Sequence, residues 1–213
     1  MRRKIWLPGL LLALLLCGCG QEAEQEAVPA SAAPESPVQT GETVTMEAAQ
    51  VESTARMPTE EEIRGDYDRA VKLYGWFDLT PLTDSGETRT EDGTVYRRVN
   101  QSGYGTLDDL RLELRSVFTQ SLTDRLLSGE EGRISYRDID GALYVTGEGR
   151  SRTAGRGGVD VEVEQGGAYD FYVNVSVDLV DQEEGIVTGM ECWSFPYVLE
   201  DGRWGFSEFR LVY

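Results

Sequence analysis

Apolar side chains at Ile63, Tyr67, Ala70, Val71, Tyr74 and Phe77 recur three and four residues apart. That spacing puts them on one stripe of an α-helix. Thr59 and Glu62 have the spacing of a capping box, in which each residue satisfies a backbone N–H left open at the helix start. The acids Glu60, Glu61 and Glu62 suit the positive end of the helix dipole. A second helical stretch starts at Thr106, again with an acid three places on (Asp109), and carries Leu107, Leu110, Leu114, Val117 and Phe118 inward. A further turn or two follows Thr119, with Leu122 and Leu126 inward, and stops at Ser128-Gly129. Between the helical segments, residues 83–94 are polar and read as turn-rich connection. Asp92-Gly93 marks a tight turn before a short strand at 95–99.

From Ile134 onward the period changes to two. Residues 134–137 and 143–146 flank Asp140-Gly141, a hairpin signal. Val159, Val161 and Val163 alternate with acids, and from Tyr169 to Leu179 apolar and polar positions alternate without a break. Such a strand has one wet and one dry face. Residues 186–199 and 203–213 continue as strands around Asp201-Gly202. The pattern predicts an α+β domain: N-terminal helices packed on a curved antiparallel β-meander. Trp193, Phe195 and Tyr197, with Trp204 and Phe206, are expected in its core.

The first residues follow a different rule. Arg2, Arg3 and Lys4 precede an apolar run over residues 5–16, too short for a bilayer core of ~30 Å. Leu16-Cys17-Gly18-Cys19 follows. A large aliphatic residue three places before a cysteine, and a small one just before it, is the pattern of a bacterial lipobox, so residues 1–18 read as a lipoprotein signal peptide. Cys19 is the expected lipidation site. Cys17 is not, because Leu16 precedes it. Residues 19–57 read as a disordered acidic tether, with seven acids, one base (Arg56) and no aromatic residue. Residues 58–213 form the single folded domain. The expected location is the extracytoplasmic face of the cell membrane, held by the Cys19 lipid.

Charge and inventory narrow the function. The chain carries a net charge of −18. Residues 58–213 hold 31 acids and 16 bases, hence −15. That opposes nucleic-acid binding, which needs a basic face. There is no histidine, which removes the usual nucleophile systems and the commonest zinc ligand. Asp138-Ile139-Asp140-Gly141 looks like the start of a calcium loop, but Gly149 stands where its glutamate would be. No enzyme, metal or cofactor is expected. Cys192, lying in a strand-like run with no partner once Cys19 is acylated, is expected to be a buried, inert thiol.

Two connections stand out. Residues 147–158 hold glycines and the bases Arg150, Arg152 and Arg156 in an otherwise acidic domain. They read as a mobile strand connection, or as a contact for a phosphate, a carboxylate or a partner. Residues 180–185, VDQEEG, are short and acidic, with Asp181, Glu183 and Glu184.

The domain resembles the extracytoplasmic inhibitors of bacterial cell-wall DL-endopeptidases (IseA-type). The likeness starts at YDRAVKLYGWF (67–77), strengthens at VFTQSLTDRLLS (117–128) and GALYVTGEGR (141–150), and is fullest at GMECWSFPYVLEDGRWGFSEFRLV (189–212). The resemblance implies a non-enzymatic domain that enters the cleft of an NlpC/P60-type peptidase with an exposed loop and an acidic surface. Asp181, Glu183, Glu184, Arg150, Arg152 and Arg156 are then the candidate partner contacts. A different class, a small-molecule or wall-fragment binding module with a cone-shaped α+β fold, stays open.

Overall fold

The computed structural model describes residues 55–212. The expected signal peptide, Cys19 and the expected tether up to residue 54 lie outside the described residues. The described residues all fall within one compact unit.

Helix α1, Glu60–Asp78, begins at a capping box. The Glu62 amide donates to Thr59 Oγ1 at 3.3 Å, and the Thr59 amide donates to Glu62 Oε2 at 2.9 Å. Its buried face is Ile63, Tyr67, Ala70, Leu73, Tyr74 and Phe77, so Leu73 joins the expected stripe and Val71 sits at its margin. Strands β1 (Asp84–Glu91) and β2 (Thr94–Val99) follow as a hairpin. Asp92 and Gly93 turn it with φ of 50° and 80°, the left-handed pair that such two-residue turns require. β1 is a correction to the turn-rich reading of residues 83–94. It has no apolar face, and ladder hydrogen bonds and ion pairs such as Arg97–Asp84 at 3.0 Å hold it at a sheet edge.

Helices α2 (Leu107–Leu114) and α3 (Gln120–Ser128) come next. α2 has the expected Thr106–Asp109 capping box, and Gly129 ends α3 at φ 80°. Strands β3 (Ser135–Ile139) and β4 (Ala142–Thr146) then form the Asp140-Gly141 hairpin and complete a first antiparallel sheet, ordered β1-β2-β4-β3. Asp138 accepts from the Gly141 amide at 3.0 Å, so its carboxylate shapes the turn.

Strands β5 (Arg156–Gln165), β6 (Asp170–Val180), β7 (Val187–Glu200) and β8 (Arg203–Phe206) make a second antiparallel sheet in sequence order, strongly curled into a half-barrel. The fold is α+β. β8 is shorter than the expected strand over 203–213. The chain leaves it at Phe206 so that residues 207–212 can bury Phe209, Leu211 and Val212. Phe209 is the hub of the core, with ring centroids 4.8–5.8 Å from Phe195, Phe206, Tyr67, Tyr74 and Phe118. These tilted and edge-on rings add to plain area burial. Trp193 and Trp204 pack on this core from its margin. At Gly205 a Cβ would lie 3.0 Å from the Phe118 backbone, and only glycine lets β8 approach the α2–α3 junction, where Phe206 N donates to Val117 O at 2.9 Å.

Candidate functional site

The second sheet has a covered end and a free end. On β6, Phe171, Val173, Val175 and Val177 are buried, and in register they face Tyr197, Phe195, Trp193 and Glu191 of β7. Going toward the β6–β7 turn, the core aromatics give out. Ile186, Val187 and Met190 are 52, 60 and 59 % exposed, and Val159 of β5 is 44 % exposed. Met190 and Val159 line a shallow cleft of ≈ 400 Å³ with Asp160, Ser176 and Asp178. Sequence reading missed this patch. Ile186 lies just outside β7, and the ladder shifts register between Leu179 and Val180, so simple alternation does not assign faces there.

The acidic connection caps this end. Asp181 Oδ1 accepts from the amides of Glu183 at 2.8 Å and Glu184 at 2.9 Å. Those backbone donors, Glu184 first, hold its carboxyl below the usual aspartate value. The Asp181 backbone closes the turn through Ile186 O at 2.9 Å and Gly185 N at 2.8 Å. All three acids are exposed; Asp181 builds the turn, and Glu183 and Glu184 lend it only their backbone amides.

The basic connection is pinned at both ends, against the expectation of a mobile link. A Cβ on Gly149 would lie 1.7 Å from Leu79 O, so glycine is required where the chain crosses the end of α1. Arg150 donates from Nε and Nη2 to Asp78 Oδ2, 2.8 Å each, and from its backbone to Asp78 O at 2.9 Å. A guanidinium at a helix C-terminus also meets the negative end of the dipole. At the far side, Gly155 O accepts from Val180 N at 2.9 Å. This joins the connection to the acidic turn. Arg156 faces Leu179 in register, ahead of a bulge before Val159, and its Nη2 reaches Glu191 at 2.8 Å. Its Nε and Nη1 are buried with no protein partner. Arg152 is exposed, lines a cleft of ≈ 430 Å³ with Arg156, and has a partner of its own.

Of the six candidates, Asp181, Glu183, Glu184, Arg152 and Arg156 thus gather at one end of the half-barrel, and Arg150 does not. Cys192 is a correction: it is free and exposed. As an even-numbered position on β7 it takes the opposite face from Trp193, Phe195 and Tyr197, and its Sγ lies 3.7 Å from Ser176 Oγ.

No protein-family model matches the chain, and a search of curated proteins gave no match.

Proposed function

We propose that the domain is a non-enzymatic inhibitor of peptidoglycan DL-endopeptidases of the NlpC/P60 type, held at the outer face of the cell membrane by lipid on Cys19. One observation carries this reading: two connections separate in the chain, 147–158 and 180–185, meet through Gly155 and Val180 at the free end of the half-barrel. There they combine exposed acids with an apolar patch of Val159, Ile186, Val187 and Met190. Apolar side chains rimmed by charge are the composition of a protein contact. The −15 charge of residues 58–213 would speed encounter with a basic peptidase cleft. The resemblance over residues 189–212 points the same way.

The test is hydrolysis of peptidoglycan by an NlpC/P60 peptidase from the same cell, with residues 50–213 added at stoichiometric amounts. Inhibition without turnover is the expected result. Glu183→Ser with Glu184→Ser should lift it, with Asp181 kept because it builds the turn. For the anchor, Cys19→Ser should abolish lipid labelling and release the chain from membranes.

A second reading, a binding module for a small ligand, draws on one feature. A cleft of ≈ 550 Å³ beside the C-terminal segment is lined by Tyr74, Trp193 and Arg210.

A further inference from the structure

That cleft lies between the second half of α1, β7 and residues 208–210. A neighbouring cleft of ≈ 410 Å³, lined by Asp78, Arg133 and Arg150, shares Tyr74 and Arg210 with it. The two make one continuous groove in which four guanidinium groups meet, in a domain where acids outnumber bases 31 to 16.

The charges do not cancel along this groove. Glu131 is taken twice, by Arg125 Nε at 2.9 Å and by the Tyr74 hydroxyl at 3.1 Å. Burial and the Glu131 carboxylate push the Tyr74 pKa well up, so the hydroxyl stays a donor. Asp78 is taken by Arg150 at 2.8 Å, and Arg133 reaches it only at 4.0 Å with 64 % of its side chain exposed. Arg210 has no carboxylate partner among the described residues. Its guanidinium instead lies 4.4 Å from the centre of the Trp193 ring, an arrangement that orients the group while leaving its edge donors open. Trp193 Nε1 beneath it is buried with no acceptor. The site therefore offers an oriented guanidinium and a second, loosely held arginine, both of them donors.

From this geometry we infer that the groove binds a carboxylate on a small ligand. A carboxylate accepts two parallel hydrogen bonds from one guanidinium edge. Glu208 faces the same cleft, is exposed, and is neutralised by no cation among the described residues. It disfavours a doubly charged occupant such as phosphate, since like charges repel across the short distances inside a cleft. The site deepens the binding-module reading alone; its loss would leave peptidase inhibition by the sheet tip untouched, and the reverse holds too.

The experiment titrates acetyl-alanyl-alanine into residues 50–213 and follows the indole N–H signals by ¹H–¹⁵N NMR. The expected result is a saturable shift of the Trp193 signal, with Trp76 and Trp204 still. The C-terminal amide of the same peptide should bind at least about tenfold more weakly, the factor that ~1.4 kcal/mol of charge-assisted bonding represents. Arg210→Gln should weaken the acid by a similar factor and leave the amide unchanged. If Arg210→Gln misfolds, Arg133→Gln serves in its place and should weaken the acid by about threefold. Glucuronate and inorganic phosphate complete the set. Glucuronate, as a second carboxylate, should also bind, and tighter binding by phosphate overturns the carboxylate assignment. Equal binding of acid and amide, an unmoved Trp193 signal, or full affinity in a folded Arg210→Gln protein overturns the site itself.

Discussion

The two ends of the β5–β8 half-barrel are built from the same strands but differ in what covers them. At one end Phe195 and Phe206 lie against Tyr67 and Phe209, Tyr197 packs on Phe206, and all three strand residues are at most 3 % exposed. At the other, Ile186, Val187 and Met190 run past the last core residue and stand more than half exposed. The hydrophobic effect stabilises the first end, where each large ring leaves water. It gains little at the second, where Ile186, Val187 and Met190 remain in water with Glu183 and Glu184. The difference separates stability from recognition: substitutions at the covered end should cost folding, and substitutions at the free end should cost only binding.

The largest effect belongs to the hub. Phe209→Ala removes a ring that touches five others and should cost about 3–5 kcal/mol, read as a lower midpoint in urea. Against a typical stability of ~5–15 kcal/mol this is a large share. A cost below about 1 kcal/mol would break the comparison at its covered end. The pinned crossing over α1 comes next. Gly149→Ala should cost about 1–3 kcal/mol, because the added carbon forces the strand connection off Leu79. A neutral result would show that the connection is free to move, as its glycines first implied.

At the free end, Glu183→Ser with Glu184→Ser should change stability by no more than about 0.5 kcal/mol while lifting inhibition. The acidic turn itself can be sharpened by pH. The Asp181 carboxyl is held below the ordinary aspartate value of 3.8 by two backbone amides. A depressed carboxyl pKa stabilises the fold fully above the unfolded value and loses that contribution as pH falls through the folded one. The amide NMR signals of Glu183 and Glu184 should therefore titrate together with a midpoint below 3.8; a midpoint above it would contradict the turn.

The smallest effect concerns Cys192. An exposed, single thiol among the described residues should react with a thiol reagent in the native protein, and reducing agent should leave the melting temperature of residues 50–213 unchanged. Slow labelling that requires unfolding would return Cys192 to the core.

Much of the covered end was legible in the chain. The capping pairs Thr59–Glu62 and Thr106–Asp109, the Asp-Gly turns and the alternation of β6 are local signals, each with a local cause. What escaped depends on neighbours far away in sequence. β1 has no hydrophobic pattern because an edge strand with no buried face needs none. The end of β8 at Phe206 follows from the space that Phe209 fills in the core. Arg150 reads as part of a basic loop but is consumed by Asp78, 72 residues earlier. Cys192 was misplaced although its parity with Trp193 was in plain view, since a strand-like run alone does not say which face is dry. The meeting of the two connections rests on the Gly155–Val180 hydrogen bond and the β5–β6 register, neither of which has a sequence signature.

The most direct test of the inhibitor reading is the rate at which an NlpC/P60 peptidase from the same cell cuts peptidoglycan with and without residues 50–213. The rate should fall to near zero as the domain reaches equimolar amounts and recover with Glu183→Ser and Glu184→Ser. An unchanged rate for every such peptidase, with the domain folded, would contradict the proposed function.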